Sequence, residues 1–187
     1  MRTVTAALCL SAVVILCLAG CANTAVHAGG GKTGPSEVPA QLQPAAGEVL
    51  FLEARGEGVQ IYDCSPKAGQ PTTYEWTFRA PEAQLKDASG HVLGRHFTGP
   101  TWELDEGGSV VGEVKAHAPS PSPTAIPWLL LVARATAGHG KLTATTSIQR
   151  LQTVGGIAPS VGCDAANAGK VAKVPYTANY YFFRAGP

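Results

Sequence analysis

Charge is the commodity this sequence has least of. Charged residues make up 14% of the 187 positions, 14 Lys plus Arg stand against 13 Asp plus Glu, and no Lys/Arg cluster occurs anywhere. A nucleic-acid partner needs a basic stripe to neutralise phosphates, so that class is excluded. The catalytic signatures are missing as well. There is no G-x-S-x-G elbow, no P-loop, no G-x-G-x-x-G and no H-E-x-x-H, which removes the common hydrolase, nucleotide and zinc-protease frameworks. The apolar runs Ala6–Ala19 and Ile126–Ala135 both fall short of the roughly 20 residues a membrane-spanning helix needs. Extended helical patterning is scarce too, while Gly 22 and Pro 14 favour turns and lean the fold towards β structure.

What is present begins at the N-terminus. Arg2, the short apolar run and Leu18-Ala19-Gly20-Cys21 have the form of an export signal. The last four residues resemble a bacterial lipobox, which implies cleavage before Cys21 and acylation of its thiol and amine. The alternative is an ordinary signal cut after Val26-His27-Ala28. Two or more acyl chains hold a protein on a membrane stably, so the membrane itself is one expected partner. Residues 1–20 are read as the signal and 21–37 as lipid attachment plus a flexible Gly/Ser/Pro tether, which lacks apolar periodicity. Residues 38–187 form one domain.

Cysteine usage fits export. Cys9 and Cys17 leave with the signal and Cys21 carries the lipid, leaving Cys64 and Cys163. In an oxidising compartment that pair is expected to be a disulfide. Two free thiols or a pair of metal ligands are the alternatives. A disulfide closing a loop of about 100 residues stabilises by about 4–5 kcal/mol in the chain-entropy model.

The domain repeats with period two. Val49–Ala54 and Val59–Cys64 read as a hairpin turned at Gly56-Glu57-Gly58, and Tyr74, Trp76 and Phe78 alternate with polar residues. Pro81–Leu85 reads as one helical turn. Val92–Phe97 is a strand, and Trp102–Leu104 and Val110–Ala116 flank a loop at Asp105–Ser109. Ile126–Ala135 suits a strand covered on both faces, and Gly138-His139-Gly140 turns it back into Lys141–Leu151. The last strand puts Tyr176, Ala178, Tyr180 and Phe182 on one face and Tyr181 and Phe183 on the other, which calls for burial on both sides or a ligand-facing wall. About nine short strands with little helix predict an all-β domain, either an antiparallel β-sandwich or a closed barrel.

One stretch gathers the chemistry: His96-Phe97-Thr98-Gly99-Pro100-Thr101-Trp102-Glu103. Gly99-Pro100 makes a corner and Trp102 reads as its core anchor, with an N–H that seeks a carbonyl. His96 and Glu103 flank the corner, and His117 ends a nearby strand. These three are the candidate functional or metal-ligating set, since a divalent metal needs several convergent N or O ligands. A His–Glu pair also suits acid–base work, although Glu103 has a structural use as a partner for Arg95. Glycoside cleavage would draw on Glu103 with Asp105 or Glu113. No His-x-His pair is present.

Several segments carry a family likeness: Gly58-Val59-Gln60-Ile61-Tyr62-Asp63-Cys64, Ala80-Pro81-Glu82-Ala83, Gly94–Glu103, Ile126-Pro127-Trp128-Leu129-Leu130-Leu131, Ile148-Gln149-Arg150 with Thr153–Gly156, and Val174–Ala178 before Tyr180. On these the chain resembles the family known as domain of unknown function 3455, across nearly all of 38–187. The resemblance implies an exported protein without an established reaction, and it places His96, Gly99, Pro100, Trp102 and Glu103 in one motif alongside Cys64 and Cys163. The functional expectation is an exported, lipid-anchored cell-envelope protein, or a secreted or periplasmic one if the signal is ordinary. Its domain would bind a small molecule or an envelope protein without catalysis. The alternatives are a metal-dependent or acid–base enzyme centred on His96 and Glu103, and a purely structural envelope module.

Overall fold

Strands carry backbone N–H and C=O groups along both edges, and each gains by finding partners on both. In the computed structural model, which describes residues 37–187, all of them do. Eight antiparallel strands follow in chain order: β1 (Glu48–Lys67), β2 (Gln70–Lys86), β3 (Val92–Phe97), β4 (Thr101–Leu104), β5 (Ser109–Ala118), β6 (Trp128–Ala137), β7 (Ser147–Gly155) and β8 (Val171–Ala185). Each pairs with the next and β8 returns to β1, so the sheet closes into an up-and-down barrel. Of the two architectures expected, the barrel is the one adopted, and closure leaves no edge strand to protect. The export signal, Cys21 and all but the last residue of the tether lie outside the described residues.

The strand boundaries differ from the sequence reading where glycine has two meanings. Gly56-Glu57-Gly58 looks like a turn, yet β1 runs straight through it as a single 20-residue strand. Gly56 is there for space: a Cβ added to it would sit 2.5 Å from the Tyr180 ring. Pro81–Leu85 is part of β2 and not a helical turn. Pro81 faces Gln60 beside a bulge, where Tyr62 pairs with Phe78 instead of Arg79, so the missing N–H falls where the ladder is already irregular. Lys141–Ala144 is a 3-10 turn, and its strand starts only at Ser147. Leu142 explains why, because it is fully buried against the barrel interior.

The core has two layers with the barrel wall between them. Inside are Leu85, Trp102, Leu104, Val110, Leu131, Ile148, Tyr180 and Phe182. Outside, on part of the wall, lie Leu50, Leu130, Leu151, Tyr181 and Phe183, covered by Val38 and Leu42 of the segment that precedes β1. Gln149 pins that cover by donating to the Leu42 carbonyl at 2.6 Å. The aromatics on both faces of β8 are therefore buried on both faces. Each such side chain, fully buried, stabilises by about 1.5–3 kcal/mol. Elsewhere the outer wall carries ion pairs such as Lys86–Glu57, Arg134–Glu113 and Lys173–Glu82, a water-facing pattern and not the apolar band of a membrane barrel.

β1 and β2 outrun the barrel at one end. There Cys64 is disulfide-bonded to Cys163 with Cα atoms 5.3 Å apart, and the loop bearing Cys163 lies alongside. Gly169 donates to the Cys64 carbonyl and Trp76 Nε1 to the Val161 carbonyl, at 2.9 and 3.0 Å. The bridge ties β1 to the connection that leads into β8.

Candidate functional site

The corner motif sits at this same end. β3 stops at Phe97 and β4 starts at Thr101; between them Gly99 takes a φ of +81°, a left-handed conformation that costs other residues energy. Thr101 Oγ1 closes the corner by donating to the Thr98 carbonyl at 2.9 Å. The register pairs His96 with Trp102 and Arg95 with Glu103. Alternation then sends the first pair into the barrel and the second out to solvent.

Inside, His96 stacks on Trp102 with ring centroids 4.3 Å apart and planes 8° from parallel, while Tyr180 meets both rings edge-on. His96 Nδ1 lies 2.9 Å from the Thr101 carbonyl. A carbonyl can only accept, so Nδ1 carries the proton and Nε2 keeps its lone pair. Burial pushes the imidazole down to about 3 from its usual 6.5, with the Thr101 hydrogen bond opposing that shift. It is therefore a neutral aromatic wall at physiological pH and a poor proton acceptor.

Outside, Glu103 pairs with Arg95 at 2.8 Å, both side chains being well exposed. Glu113 is likewise outward, with Arg134. His117 is exposed near the end of β5, opposite Leu129. The structure thus brings His96 and Trp102 together at the corner but does not bring His96, Glu103 and His117 together. Among the described residues no three His, Cys, Asp or Glu side chains are grouped to hold a metal ion.

What the open end does contain is a pocket of about 440 Å³, lined from β1 through β7. Phe78, Pro81, Val114, Leu129 and Leu131 make its apolar wall, and Gln60, Arg79, His96, Trp102 and Arg150 supply the polar groups. No Asp or Glu lines it. Arg79 is already paired with Asp63. Arg150 has no carboxylate partner among the described residues; its Nε and Nη2 donate to the Pro127 carbonyl at 3.2 and 2.8 Å. Burial lowers its pKa, opposed by the nearby Tyr180, Tyr176 and Tyr62, and a guanidinium stays charged under such shifts. Burial raises Tyr176 and Tyr180 above the usual phenol range, so both hydroxyls remain protonated, 3.2 Å apart.

Four buried side-chain polar atoms among the described residues have no hydrogen-bond partner: Gln60 Nε2, Trp102 Nε1, Trp128 Nε1 and Thr145 Oγ1. The first two belong to residues lining this pocket. Buried donors left unpaired are rare and costly. Depressions on the outer wall, such as the one of about 460 Å³ beside Val154 and Lys86, are more open to solvent and lined by no residue with such an orphan atom. Sequence reasoning singled out neither Gln60 nor Arg150 as functional. The signal for Arg150 was its phase: Ile148 faces the interior and Arg150, two residues on along β7, shares that face.

The fold and site together define a class: among the described residues, a closed eight-stranded barrel with a half-open, carboxylate-free pocket at one end. Within that class the chain belongs to the family of proteins of unknown function (DUF3455), whose model matches residues 44–184. No curated protein and no solved structure matches it.

Proposed function

We propose that this domain is a non-catalytic binding barrel that takes a small molecule through its open mouth, carried on an exported protein held at the cell envelope by acylated Cys21. The observation that carries the reading is the half-enclosed pocket of about 440 Å³, lined by apolar side chains with Arg150 and by no Asp or Glu, a size typical of small-molecule sites. The neutral, stacked His96 and the outward Glu103 favour binding over acid–base catalysis, because the pair stands on opposite faces of the wall. The Cys64–Cys163 bridge supports an oxidising compartment.

The test uses N-phenyl-1-naphthylamine, an uncharged dye that brightens in apolar pockets. Saturable binding at one site per chain is expected, and Leu129→Trp, which fills the pocket, should abolish it. A dye signal unchanged by Leu129→Trp would place binding elsewhere and remove the reading. The anchor is tested separately by mass spectrometry of the mature N-terminus: a diacyl or triacyl Cys21 is expected, and an unmodified Gly29 start rules the anchor out.

A further inference from the structure

We infer that the occupant of this pocket is a small monocarboxylate with an apolar body, its carboxylate seated on Arg150; this rests on the pocket being the binding site. The first step is charge. Arg150 projects into a half-enclosed space bounded by Leu129, Leu131 and Val114, and no carboxylate of the described chain answers it. The other cation of the lining, Arg79, is neutralised by Asp63. Arg150 is half-buried, and a cation partly withdrawn from water without a counter-ion is unfavourable. The pocket is short of one negative charge.

The second step is hydrogen bonding. Arg150 spends Nε and one Nη2 hydrogen on the Pro127 carbonyl. Nη1, with the remaining Nη2 hydrogen, is a two-pronged edge that matches the two oxygens of a carboxylate. A neutral ligand would meet the donors and leave the charge; a dianionic phosphate would bring one charge too many for a single free guanidinium.

The third step is the body of the ligand. The rest of the lining is Phe78, Pro81, Val114, Leu129 and Leu131 with the stacked His96–Trp102 pair. His96 is neutral, so it adds aromatic surface and no second charge. An alkyl chain or a single ring suits these walls.

The experiment displaces N-phenyl-1-naphthylamine from the full folded domain with octanoate, 1-octanol and octyl phosphate at pH 7.5. Octanoate should displace the dye at a concentration roughly tenfold to a hundredfold lower than octanol, the range for a charge-assisted hydrogen bond. Octyl phosphate should be weaker than octanoate. In Arg150→Met the advantage of octanoate over octanol should fall to about onefold. Equal potency of octanoate and octanol on the wild type overturns the inference without any variant, and so does a preference that survives in folded Arg150→Met. Tighter binding of octyl phosphate overturns the single-charge match. Failure of the dye to bind, or its binding unchanged in Leu129→Trp, defeats the pocket reading instead, so the two failures are distinguishable.

Discussion

The two ends of this barrel are built from the same strands and finished in opposite ways. At one end the 3-10 turn Lys141–Ala144 drops Leu142 into the interior, fully buried with Leu104, Val110 and Phe182. The loops there close over it: a Cβ on Gly108 would lie 2.5 Å from the His139 carbonyl, and Lys141 pairs with Glu106 at 3.1 Å. At the other end Ile126, from the loop that leads into β6, joins the interior cluster, but the described residues do not fill the space beside it. The interior is left half open beside the His96–Trp102 stack, and Arg150 there has no carboxylate partner among the described residues. Packing a leucine into a barrel end is evidently within reach of this chain. The difference teaches that the half-open mouth is a feature of the molecule and not a failure to fill it, since a cation left there without a counter-ion works against stability.

The largest effects should mark the closed end and the bridge. Leu142→Ala removes a fully buried side chain and should cost about 2–5 kcal/mol in denaturant unfolding. Leu129→Ala, at the half-open mouth, should cost clearly less. Equal costs would mean the mouth is packed as tightly as the plug and would break the comparison. Reducing Cys64–Cys163, which ties the open end together across 99 residues, should lower stability by about 2–5 kcal/mol, read as a lower melting temperature in reductant. An unchanged melting temperature would show that the bridge constrains nothing that unfolds.

A pH titration sharpens the same contrast. His96 is held neutral at the mouth, with its folded pKa pushed to about 3 from 6.5. The unfolded chain therefore binds a proton that the folded chain refuses between these values. Stability from this site is full above about pH 6.5 and falls as pH drops towards 3, by up to roughly 1.4 kcal/mol per unit. His96→Gln should flatten that part of the profile of melting temperature against pH. A profile equally steep in His96→Gln would assign the acid sensitivity to other groups.

Much of this fold was legible in the sequence, and the illegible parts have physical causes. Alternation at Tyr74–Phe78 and Tyr176–Phe183 marks strands because a pleated wall has two unlike faces. Whether eight strands close or stack as a sandwich depends on which edges meet, a property of no single segment. Gly56 misleads because the same residue serves a turn and a tight approach to Tyr180. The His96–Glu103 motif was visible as a cluster, but its division between the two faces follows from the register His96–Trp102. Arg150 was hidden by the irregularity after Leu151, where Gln152 takes a φ of +51°. Counting back by twos from the exposed Val154 places Arg150 outside, whereas counting forward from Ile148 places it inside.

The smallest expected effects are the most telling about the mouth. Glu103→Gln breaks only a solvent-exposed pair with Arg95 and should shift unfolding by no more than about 1 kcal/mol. Arg150→Met should be just as mild for the empty barrel, within about 1 kcal/mol and of either sign, because replacing an uncompensated cation with an apolar chain is often neutral or favourable. Its one structural task, donation to the Pro127 carbonyl, falls on an exposed residue that water can serve instead. A loss as large as that of Leu142→Ala would make Arg150 a structural strut and align the two ends of the barrel. A near-zero change in stability, with octanoate preference abolished, would instead separate them: one end kept for folding, the other for a ligand.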